Sequence, residues 1–148
     1  MTEDILISVR GIHSMESGED DEIEVTSSGK HYVRNGTHYV LYDEVDAETK
    51  AVTKNRLKFS DGFLEIRKKG AQNSSMTFQK GEKHTSLYGT PFGQVMVGVE
   101  VRDMAFQEQD DQISMDIGYA LEMNYEPVAD SRIHVKIMEK DRGLFRLK

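Results

Sequence analysis

A chain of 148 residues is long enough for one domain with a proper core, because a chain of this size buries about 68–70% of its unfolded surface. It contains no cysteine, which excludes disulfide support, thiol chemistry and a zinc-thiolate site. The net charge of −7 argues against a nucleic-acid or anionic-membrane partner, and no apolar run approaches the ~18 residues of a membrane span.

Polar Thr2-Glu3-Asp4 leads directly into Ile5, Ile7 and Val9. This alternating run has no signal-peptide character, so a cytoplasmic location is expected. The first strand should end near His13. The acidic run Glu19-Asp20-Asp21-Glu22 reads as a solvated loop, because a calcium site needs ligands at loop spacing and a sharp glycine turn. Ile23 and Val25 open a second strand that runs to Arg34, with a bend at Gly29. Asn35-Gly36 is the strongest hairpin signal in the chain, since a type I′ turn needs positive φ at both central residues. It connects to a strand over Thr37–Asp43.

After a polar connection at Val45–Lys50, Val52, Thr53, Leu57 and Phe59 favour another strand. Asp61-Gly62 turns it into Phe63–Lys68. Met76 and Phe78 mark a short strand, and Lys80-Gly81 turns it into Glu82–Tyr88. The basic spots at Lys54–Lys58 and Lys68-Lys69 read as wet strand faces or turns. Pro91 cannot donate to a ladder, so Gly89–Gly93 is a corner or loop.

Two long alternating runs follow. Val95, Val97, Val99 and Val101 form the dry face of the first. Ile113, Met115, Ile117, Tyr119, Leu121, Met123 and Tyr125 form that of the second. The apolar phase slips near Asp103 and continues at Met104 and Phe106, which predicts a β-bulge at Arg102–Asp103. The polar segment Gln107–Asp111 turns the first run back against the second. Ile133, Val135 and Ile137 mark the last strand. Strands far longer than the usual ~5–6 residues must coil, and closure into a barrel is the expected result. The expectation is therefore all-β: a closed antiparallel up-and-down β-barrel of about eight to ten strands. Residues 1–140 would form a single domain and 141–148 a C-terminal tail.

Three segments carry a family resemblance. Ile66-Arg67-Lys68-Lys69-Gly70 is similar to a basic turn ahead of a short strand. Thr90-Pro91-Phe92-Gly93 resembles a Thr-Pro-aromatic-Gly corner leading into a long strand. Tyr119-Ala120-Leu121-Glu122-Met123-Asn124 resembles a penultimate strand. Together they resemble the YwiB-like family of small bacterial β-barrel proteins of unknown function, in order and spacing over nearly the whole length. The resemblance implies a calycin-like, lipocalin-resembling barrel and no activity. Tyr125 departs from the pattern, which leads one to expect a glycine turn residue there.

Chemistry is sparse. The chain has no nucleophile elbow, phosphate loop or dinucleotide fingerprint. The histidines His13, His31, His38, His84 and His134 show no metal-ligand spacing. His31 and His38 straddle the Asn35-Gly36 turn and read as two surface histidines on facing strands. Glu100 could meet Asp116 or Glu122, but on the wet face. No catalytic residue, metal or cofactor is expected, and the chain is not expected to be an enzyme. Met fills irregular gaps and lines adaptable surfaces. Val97, Val99, Met115, Ile117 and Tyr119 could therefore line a cavity for a small apolar or amphipathic ligand, with Tyr88 and Phe92 at its mouth. The alternative is a filled barrel acting as a protein-interaction module or homodimer. Its outer patch would include Tyr32, Val40, Tyr42 and the Leu144–Leu147 tail.

Overall fold

The structure, a computed structural model, describes residues 3–15, 20–70, 73–90 and 92–140. Its strands are β1 (Asp4–Met15), β2 (Asp20–Arg34), β3 (Thr37–Val45), β4 (Val52–Ser60) and β5 (Phe63–Gly70), then β6 (Ser74–Gln79), β7 (Lys83–Thr90), β8 (Gly93–Glu108), β9 (Gln112–Met123) and β10 (Glu126–Glu139). All ten belong to one sheet ordered β6-β5-β4-β3-β2-β1-β10-β9-β8-β7. Every ladder joins sequence neighbours except one. That exception is the antiparallel β1–β10 pair, running from Ile5↔Glu139 to Met15↔Ala129, which ties the first strand to the last.

The result is a nearly closed up-and-down barrel. Its seam lies inside the chain, between β6 and β7, where the ladder stops. β6 has six residues against sixteen in β8, so the edge left at the seam is short. Side chains bridge it: His84 Nε2 lies 3.2 Å from Gln79 Oε1, and the Tyr88 hydroxyl bonds to Ser74.

Most local signals act as their chemistry requires, but Asp20-Asp21-Glu22, expected in a loop, pair with Ser14, His13 and Ile12 as the start of β2. Asn35 and Gly36 both have positive φ, 52° and 78°, as a type I′ hairpin demands. The register slips between Val101 and Asp103, so Arg102 is the extra residue of a bulge. Beyond it Met104 pairs with Ile117 and Phe106 with Met115, keeping the apolar face inward. At Gly29, where β2 leaves β1 to pair with β3, a Cβ would sit 2.6 Å from the Leu41 carbonyl oxygen. The bend predicted there is a close approach of two backbones.

The turns at 35–36, 61–62, 80–81 and 109–111 gather at one end of the barrel. The core of this closed end is filled, and a hollow of about 530 Å³ lined by His31, Val33, His38, Glu108 and Ile113 lies at its rim. Ile5, Leu57, Phe59, Leu64, Ile117 and Ile137 are fully or almost fully buried, each contributing about 1.5–3 kcal/mol by leaving water. The other end carries the 46–51 connection, the β7–β8 corner and the 124–125 turn. The tail at 141–148 and Pro91 of the corner lie outside the described residues.

Candidate functional site

At the open end the inward residues stop filling the barrel and leave a cavity of about 340 Å³. Small-molecule sites begin at roughly this size, ~300–1,000 Å³. The wall is mainly apolar and draws on nine of the ten strands, all but β4; Val9 (β1), Val25 (β2), Ile66 (β5), Met76 (β6), Val97 (β8), Leu121 (β9) and Ile133 (β10) contribute to its apolar surface. Each is among the last inward residues of its strand before an open-end connection. Tyr119 meets Phe78 edge to face, with centroids 4.9 Å apart and planes at 72°, joining the cavity wall to the packed half.

The residues expected to line a cavity divide by height. Tyr88, Val97 and Tyr119 line it. Val99, Met115 and Ile117 do not. They are 2%, 1% and 0% exposed and belong to the packed half. Alternation places them correctly inside, but it does not say how far along the barrel they sit. Phe92 is fully exposed at the corner and closes no mouth.

Several polar groups interrupt the apolar wall, and of these sequence patterning identified only Tyr88 and Tyr119. Lys68 Nζ and Glu44 Oε1 form an ion pair at 2.8 Å. His13 Nδ1 lies 2.6 Å from the Oγ of buried Ser131, its cross-strand partner. Burial pushes the Tyr119 hydroxyl up to about 12, and a hydrogen bond with Ser131 opposes that rise. Burial also raises Tyr88, opposed by its bond with Ser74. Tyr42 is raised by burial and then by the Glu44 carboxylate. Opposite Tyr42 on β4, Asn55 is buried, and its Oδ1 accepts no hydrogen bond from the described residues.

Two expectations about surfaces are corrected. Val40 and Tyr42 face inward, 0% and 6% exposed, because the even positions of β3 are its dry face. They cannot belong to an outer patch. Tyr32 is exposed and stacks on Tyr39 at 5.2 Å, and the Leu144–Leu147 segment lies outside the described residues. His31 and His38 are not surface groups either: they are 6% and 7% exposed at the closed end. His31 Nε2 and His38 Nδ1 share a hydrogen bond of 3.0 Å, His38 stacks on Phe59, and Glu108 lies 3.6 Å from His38 Nε2. No group of three or more potential metal ligands forms among the described residues. On the wet face Glu122 pairs with Lys83 at 2.7 Å, and Asp116 is held by Arg132 and His134, so these carboxylates face cations.

No curated protein matches this chain. The family described as Domain of unknown function (DUF1934) matches residues 7–135. Among solved structures, the crystal structure of the ywiB protein from Bacillus subtilis superposes with a TM-score of 0.76 at 18% identity, covering 92% of this chain and 91% of that one. The likeness is one of fold.

Proposed function

The chain belongs to the DUF1934 family, a domain of unknown function, and from its half-hollow barrel we propose that it binds a small apolar or amphipathic molecule at the open end rather than catalysing a reaction. One observation carries the reading: a cavity of about 340 Å³ in one half of a barrel whose other half is packed. A core selected only for stability would be filled, since voids forfeit packing contacts. The wall is of the kind that accepts ligands, apolar with a few convergent polar groups. The interaction-module alternative is weaker, because Val40 and Tyr42 are withdrawn from its patch.

The test is titration with aminoanthracene, a neutral apolar fluorophore. The expected result is a saturable rise in emission with one site per chain, abolished by Leu121→Trp, which places an indole in the cavity. No saturable binding, or binding indifferent to that substitution, would overturn the proposal.

A further inference from the structure

We propose that the open-end cavity selects an apolar molecule whose neutral head donates one hydrogen bond and accepts one, as a primary amide does. The inference rests on the ligand-binding reading above and specifies the chemistry of the head group.

His13, Ser131 and Tyr119 stand in one inward-facing row, because His13 pairs with Ser131 across β1 and β10, and Ser131 with Tyr119 across β10 and β9. Ser131 is buried between the other two. His13 Nδ1 lies 2.6 Å from its Oγ, and its cross-strand pairing with Tyr119 brings the two hydroxyls within each other's influence. His13 and Tyr119, the two ends of this relay, line the cavity. Among the described residues neither makes another side-chain hydrogen bond.

Proton counting then sets the selectivity. Ser131 has a single hydroxyl proton. With His13 neutral, Ser131 can donate to Nδ1 and accept from Tyr119. The cavity then meets an Nε2–H donor and a tyrosine lone pair. Alternatively, Nδ1–H donates to Ser131, which donates to Tyr119. The cavity then meets an Nε2 lone pair and the tyrosine O–H. Both arrangements offer one donor and one acceptor, and neither offers two donors. An amide matches both ends, whereas a ketone, which only accepts, leaves one end unmatched.

The charges facing the row agree with a neutral head. Asp21 of β2, the cross-strand partner of His13, is exposed and does not line the cavity. Glu44 of β3 and Lys68 of β5 neutralise each other at 2.8 Å. Tyr88 of β7 is engaged by Ser74. A charged head would find the cation of the lining already paired.

The experiment is displacement of aminoanthracene at about pH 8, chosen to favour neutral imidazole, by octanamide and by its isosteric methyl ketone. The amide should bind about tenfold more tightly, the worth of a matched hydrogen-bond pair. Ser131→Ala, which lies behind the lining, should keep dye binding and bring the ratio close to one, because uncoupled His13 and Tyr119 can both donate. Should that variant lose the dye, calorimetric titration of the natural protein with each compound decides instead, and equal affinities would sink the inference. Equal displacement by both compounds in the natural protein, or an undiminished ratio in the variant, would sink the inference while leaving the ligand-binding reading standing. Failure of the natural protein to bind the dye would sink that reading itself.

Discussion

His31 and His38 are the residues whose burial has the most direct consequence. Their shared hydrogen bond needs a lone pair on one ring, so the pair resists carrying two charges. Burial first, and then the positive potential of His38, hold His31 below its ordinary value of 6.5. The unfolded chain therefore takes up a proton that the folded chain resists, and stability falls as pH drops below about 6.5, levelling off only once the folded His31 also titrates. Urea unfolding should give a lower midpoint at about pH 5.5 than at about pH 7, and His31→Phe should flatten that slope. An unchanged slope in the variant would assign the effect to other groups. The charged residues outside the barrel promise less. Arg132 bridges Asp103 and Asp116, but all three are substantially exposed, and such pairs contribute about 0–1 kcal/mol.

At the scale of the element, the β9–β10 hairpin is built against its sequence. Asn124 and Tyr125 both have positive φ, 51° and 68°, and only asparagine is suited to it. The Asn124 backbone N–H donates to the Met96 carbonyl at 2.8 Å and its side-chain oxygen accepts from the Met96 N–H, so the turn is pinned to β8 from one side. Tyr125 is 73% exposed and gains little packing in return. The glycine that the family resemblance implies at this position is what the backbone geometry asks for. Tyr125→Gly should raise stability by about 0.5–1 kcal/mol, the relief of roughly 1–2 kcal/mol less the larger chain entropy of glycine. A lowered urea midpoint would instead mean that the tyrosine ring makes a contact the fold needs.

For the molecule as a whole, the placement of the seam governs where the barrel opens. Pairing β1 with β10 secures both ends of the described chain in the middle of the sheet and leaves β6 and β7 as its edges. Edge strands open more readily than interior ones, because one row of their backbone groups lacks ladder partners. Both edges reach the open-end cavity, through Met76 and Ser74 on β6 and Tyr88 on β7. Amide hydrogen exchange should be faster in β6 and β7 than in β1, β9 and β10. A bound ligand should slow it at the seam more than elsewhere. Uniform protection across all ten strands would mean that the break in the ladder does not loosen the barrel.

Much of this architecture was legible in the residues. The inward face of the long strands, the hairpin at Asn35-Gly36, the bulge beside Asp103 and the meander that curls into a barrel all follow from periodicity and turn chemistry. These are local properties, set by neighbours two or three positions apart. Tertiary structure alone decided three things. It placed Val97 in a cavity wall and Val99 in solid core, put the break in the ladder between β6 and β7, and buried His31 against His38. A period of two records the face on which a side chain lies, not its height along the barrel. That height depends on register against strands distant in sequence, and so does the meeting of His13, Ser131 and Tyr119.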